Sequence, residues 1–90
     1  MQIKWTKRAS QNFEKILAHI ATDNPNAAKK LMLDTLQQVA NLKNYPALGR
    51  AGLVPSTREL VIHENYIVYY RIKNEQIEIL RVLHARRKYP

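Results

Sequence analysis

The sequence predicts an α+β domain in which a helical hairpin covers one face of a mostly antiparallel, four-stranded sheet, in the order β-α-α-β-β-β. Three observations lead there. Two amphipathic helical stretches adjoin in the first half of the chain, three strand-like runs fill the second half, and a short alternating segment precedes them all. With 90 residues, the chain has room for one core, so residues 1–90 form a single domain.

Residues 2–5 alternate polar and apolar, with Ile3 and Trp5 on one side, which predicts a short strand. Thr6 then offers a side-chain oxygen as a helix N-cap. Phe13, Ile16, Leu17 and Ile20 follow the i, i+3, i+4, i+7 spacing of one buried stripe, giving a helix to about Thr22 with Trp5 packed beneath it. Asp23-Asn24-Pro25 ends this helix and begins the next, because Asn24 can cap it and proline suits a first helical position, where no amide donor is needed. The second helix runs from Pro25 to about Lys43, with Leu31, Met32, Thr35, Leu36, Val39 and Leu42 turned toward the first.

Asn44-Tyr45-Pro46 stops that helix, and Gly49, Gly52 and Pro55 mark a loop. Strands are predicted over 57–63, 66–73 and 76–83, rich in Val, Ile, Tyr and Leu and separated by segments short enough for hairpin turns. In the middle strand Tyr66, Val68, Tyr70 and Ile72 share one face, while Ile67 and Tyr69 share the other. Both faces therefore carry apolar bulk that a single helical layer cannot cover, and some of the second face is expected to be reserved for a partner.

A formal charge of +8 is large for this length and is divided equally between residues 1–45 and 46–90. It favours an anionic partner: nucleic acid, a membrane surface or an acidic protein. No cysteine is present, which excludes disulfides and thiolate metal sites, and His19, His63 and His84 lack ligand spacing, so no metal or cofactor is assigned. No apolar run has transmembrane length and the start of the chain lacks a signal-peptide pattern, so a cytoplasmic protein without membrane attachment is expected.

The charge is most concentrated after the last strand, where His84-Ala85-Arg86-Arg87-Lys88-Tyr89-Pro90 follows an apolar run and no acidic residue occurs beyond Glu78. Arg58, Arg81, His84, Arg86, Arg87, Lys88 and Tyr89 are the candidate target-binding residues. His84 has the ordinary pKa for acid–base work, but no second titratable group is paired with it in the sequence, so a structural hydrogen bond at a strand end is its expected role. Arg81 lies within a strand and must reach solvent or an acceptor. Glu59 is expected in a surface or inter-strand ion pair, and Tyr66, Tyr69 and Tyr70 in the core with wet hydroxyls.

Three segments, Val54-Pro55-Ser56-Thr57-Arg58-Glu59-Leu60-Val61, Asn65-Tyr66-Ile67-Val68-Tyr69-Tyr70-Arg71 and Val82-Leu83-His84-Ala85-Arg86-Arg87, occur in the order and spacing of the ParE branch of the ParE/RelE toxin superfamily, which the chain resembles. Asn26-Ala27-Ala28 in the helical hairpin extends the resemblance over nearly the whole chain. The resemblance implies the toxic member of a type II toxin–antitoxin pair, neutralised by a small acidic antitoxin that also supplies contact with operator DNA. ParE-like members poison DNA gyrase, whereas RelE-like members cut messenger RNA in the ribosome.

The resemblance also separates these two activities. RelE-like nucleases place an arginine directly after the first tyrosine of the middle strand, where this chain has Ile67. The preceding strand retains only Arg58 of a lysine-rich pattern, and the chain reaches Pro90 without the nucleases' further C-terminal tyrosine segment. Arg86 or Arg87 matches the remaining nuclease arginine. A site lacking several transition-state cations is a poor ribonuclease, so gyrase inhibition without an enzymatic activity of its own is the favoured reading. The alternatives are the ribosome-dependent nuclease and a non-toxic relative that acts with its antitoxin in autorepression.

Overall fold

A computed structural model describes residues 1–87 and 89–90. Its elements run β1 (Gln2–Trp5), α1 (Lys7–Asp23), α2 (Pro25–Ala40), a single 3-10 turn (Asn41–Lys43), β2 (Arg50–Ala51), β3 (Thr57–His63), β4 (Tyr66–Lys73) and β5 (Gln76–His84). The sheet has five strands in the order β1-β5-β4-β3-β2; β1 is parallel to β5, and every other pairing is antiparallel. The fifth strand is β2, two residues inside the loop that Gly49 and Gly52 mark. It pairs with Arg58 and Glu59, and nothing in so short a segment has strand periodicity.

The caps are the ones the sequence offers. Thr6 Oγ1 accepts from the Ala9 amide at 3.2 Å and Asn24 Oδ1 from the Ala27 amide at 3.0 Å, while Pro25 occupies the first turn of α2. The helical pattern that extends to Lys43 tightens into the 3-10 turn after Ala40, ahead of the helix-stopping Tyr45-Pro46 pair. Asn74 and Glu75 both have positive φ, 52° and 60°, as the two central residues of a hairpin whose twist matches its strands.

The main core lies between the helices and the sheet. Ala9, Phe13, Val39 and Leu42 meet Leu60, Ile62, Val68, Tyr70, Ile77, Ile79 and Val82, and Trp5 stacks on Phe13 with ring centroids 5.5 Å apart. Burying each large apolar side chain contributes about 1.5–3 kcal/mol. The opposite face carries a second, smaller cluster of Ile67, Tyr69 and Leu83, against which the Tyr89 ring folds back. Part of the face expected to be left for a partner is thus covered by the chain's own Tyr89. Among the described residues no helix is long and apolar enough to cross a membrane.

Candidate functional site

The sheet register distributes the candidate residues over two separate places. In β3, Arg58 stands opposite Tyr70, on the helix-covered face and toward the Thr57 end. Its guanidinium donates to the Gly49 carbonyl at 2.8 Å and lies 3.5 Å from the Ala47 carbonyl. Beside it the Tyr70 hydroxyl donates to the Pro46 carbonyl at 2.7 Å and accepts from the Gly49 amide at 2.9 Å. Burial raises the Tyr70 pKa, against the opposing influence of the Gly49 amide and the Arg58 charge. Gly49 has no room for a side chain: a Cβ there would stand 2.8 Å from Cε1 of Tyr70 and 2.9 Å from its hydroxyl. Arg58 and Tyr70 together tie the α2–β3 loop to the sheet.

The other candidates gather at the opposite end. Tyr66 of β4 pairs with both His63 of β3 and His84 of β5, so the two imidazoles flank one phenol; the His84 and Tyr66 rings meet edge-on at 5.4 Å. His84 Nδ1 accepts from the Arg86 amide at 3.1 Å, and the Ala85 amide donates to the Asn65 carbonyl at 2.7 Å. These bonds curl the chain after β5 back over the β3–β4 turn. His84 Nδ1 is thus engaged in holding the turn. The strand-end structural role expected for His84 is what this geometry supports.

That turn projects Arg86 and Arg87 into solvent. Among the described residues, ion pairs join Lys30 to Asp34, Arg50 to Glu59 and Arg71 to Glu78, and none includes Arg58, Arg81, Arg86 or Arg87. Lys88 lies outside the described residues. Tyr89 is half-buried, its ring 5.1 Å from that of Tyr69, so its apolar surface is engaged within the chain. Glu59 forms the inter-strand pair expected of it, with Arg50 Nε at 2.8 Å.

Arg81 depends on a residue that sequence reasoning missed. Strand β1 pairs with β5 only as far as Ile79, and the backbone of β5 beyond it has no strand neighbour on that side. Thr6 takes over first, its amide and hydroxyl both donating to the Ile79 carbonyl. Asn12 of α1 comes next: its Oδ1 accepts from the Val82 amide at 3.3 Å and from Arg81 Nε at 2.8 Å. A register shift between Tyr69 and Tyr70, which skips Leu80, accompanies this switch of partners. No local pattern distinguishes Asn12 from a residue on the wet side of α1, where its spacing puts it.

The sequence profile of the ParE toxin of type II toxin–antitoxin systems (parDE) matches residues 3–89. The protein Y4kP of Sinorhizobium fredii, which bears a toxin name, is 42% identical across 99% of this chain and 93% of its own length. Toxin RelE2 of Caulobacter vibrioides is 31% identical across 96% of this chain and 97% of its own. Among solved structures, a chain of the chromosomal ParDE system of P. aeruginosa superposes with a TM-score of 0.83 at 30% identity, covering 93% of this chain and 95% of that one. A YoeB/ParE toxin from Agrobacterium tumefaciens shares the fold at a TM-score of 0.68 and 14% identity, over 93% of this chain and 98% of that one. With the three-segment pattern and the helical hairpin on a mostly antiparallel sheet, these likenesses agree: the chain belongs to the ParE toxin family of type II toxin–antitoxin systems.

Proposed function

We propose that this protein inhibits DNA gyrase through its basic C-terminal end and that an acidic antitoxin neutralises it in the cytoplasm. The observation that carries the reading is the contrast at the end of the sheet. Arg86 and Arg87 are exposed and form no ion pair among the described residues, while Ile67, at the position where the nuclease pattern requires a cation, is 6% exposed and packed against Tyr69 and Leu83. A buried isoleucine offers no charge to a phosphoryl transition state, whereas free guanidiniums on a hydrogen-bonded turn suit docking to a large anionic target. Purified protein should block supercoiling or trap gyrase-cleaved DNA. Changing Arg86, Arg87 and Lys88 together to alanine should abolish that effect and the growth inhibition. Undiminished toxicity of the folded triple variant would rule the assignment out, and codon-positioned cuts in messenger RNA of induced cells would establish the nuclease alternative.

The antitoxin reading rests on a separate surface. Leu33 and Leu36 of α2 are 53% and 45% exposed, and Leu36 borders a groove lined also by Met1, Ile3, Trp5 and Val39. An acidic amphipathic segment that folds on binding would bury these side chains while its carboxylates meet the +8 surface. Operator DNA would be reached through the antitoxin. Replacing Leu33 and Leu36 with serine should weaken antitoxin binding by an order of magnitude or more while leaving gyrase inhibition in place; unchanged affinity for the antitoxin would place its site elsewhere.

A further inference from the structure

The Asn12 contact uses only one edge of the Arg81 guanidinium. Nε donates to Asn12, and among the described residues neither Nη group has a protein acceptor. Four N–H donors on this half-buried side chain therefore have no acceptor among the described residues. Two more exposed guanidiniums belong to the adjoining elements: Arg8 lies one helical turn before Asn12 on α1, and Arg87 lies on the turn that follows β5. Burial lowers the Arg81 pKa, and the Arg8 and Arg87 charges lower it further, against an opposing influence of Tyr89. The first turn of α1 contains no acidic residue and carries Lys7 and Arg8, the charge sign that its helix dipole disfavours. Three elements therefore bring like charges together at a cost that an anion would relieve.

We propose that Arg8, Arg81 and Arg87 form a binding site for the phosphodiester backbone of duplex DNA, with Asn12 as the positioning residue that holds the Arg81 fork. An acidic peptide fits this place less well for two reasons. The free edge of β5, where an added strand would pair, is occupied by Thr6 and Asn12. The neighbouring apolar residues Ile67, Tyr69 and Leu83 are 4–6% exposed, so no anchor pocket is open beside the cations. Phosphate oxygens need neither; they need fixed N–H donors and positive charge. The site deepens the gyrase reading and rests on it for its role in the cell, where gyrase presents a held DNA duplex, but DNA binding itself is measurable without gyrase.

Fluorescence anisotropy of a labelled duplex titrated with the full 90-residue chain tests it. Arg8→Gln should weaken binding about fivefold at low salt and reduce the slope of log affinity against log salt by about one. Arg81→Lys, which keeps the charge and loses the fork, should also weaken binding, and Asn12→Ala should do so with Arg81 still present. Lys29→Gln, an equal loss of charge on an exposed residue of α2, serves as the control and should stay within twofold of wild type. Wild-type protein that does not bind the duplex, a Lys29→Gln effect equal to that of Arg8→Gln, or competition by polyglutamate as strong as by unlabelled duplex would each overturn the site. Intact gyrase inhibition by an Arg8→Gln variant with unaltered DNA affinity sinks the phosphate site alone. Loss of DNA affinity in the variants, with no gyrase inhibition by wild type, sinks the gyrase reading alone.

Discussion

Arg58 and Arg87 carry the same guanidinium and both belong to the basic set that the sequence singles out, yet the fold uses them differently. Arg58 is half-buried and gives its donors to the carbonyls of a loop that must be held against the sheet. Arg87 is exposed, its amide bonded to the His84 carbonyl and its side chain in no ion pair among the described residues. A net charge counts both alike. Only the hydrogen-bond partners reveal that the loop end of the sheet consumes its cation internally and the C-terminal end presents its cations outward.

The comparison is open to attack first at the loop. Gly49→Ala would drive a methyl group into Tyr70 and the Glu59 carbonyl, and should cost about 2–3 kcal/mol in denaturant melts, as overpacking of a close contact does. A loss below about 0.5 kcal/mol would mean that the loop is not seated as described. Arg58→Ala removes the second tie and should cost about 1–1.5 kcal/mol with little change in target inhibition per folded molecule.

Alkaline pH probes the same seat. Because burial raises the folded-state pKa values of Tyr69 and Tyr70 above the ordinary tyrosine value of about 10, the unfolded chain releases these protons first. Stability should hold below about pH 10 and fall as pH rises from there through the raised folded-state values. Tyr70→Phe, compared by melting temperature from pH 8 to 11, should flatten that fall, and a slope identical to that of wild type would detach the effect from this residue. At the C-terminal end the expectation reverses: Arg86→Ala with Arg87→Ala should change stability by less than about 0.5 kcal/mol, since neither side chain has a protein partner among the described residues.

The two ends also differ in how far they could be read from sequence. Strands β3 and β4 fall on the residues that alternation selects and β5 extends past its predicted end by one, because their periodicity and turn residues are local signals. The helix junction at Asn24-Pro25 is equally local. By contrast, the seat of Arg58 depends on where a loop folds against Tyr70, and the hold on Arg81 depends on Asn12, 69 residues away in the chain. The coverage of Ile67 and Leu83 by Tyr89 is a tertiary contact of the same kind. Such choices follow from which strand edge lacks a neighbour, and a one-dimensional pattern does not contain that information. Among the candidate residues, Arg58 also ties a loop and His84 also holds a turn, while Arg86 and Arg87 are exposed.

The most direct measurement compares wild type, Arg58→Ala and the Arg86→Ala, Arg87→Ala double variant in a gyrase supercoiling assay, with each preparation shown to be folded. Wild type and Arg58→Ala should inhibit gyrase to a similar extent, and the double variant should not. Inhibition by the double variant equal to that of wild type would contradict this reading of the C-terminal end.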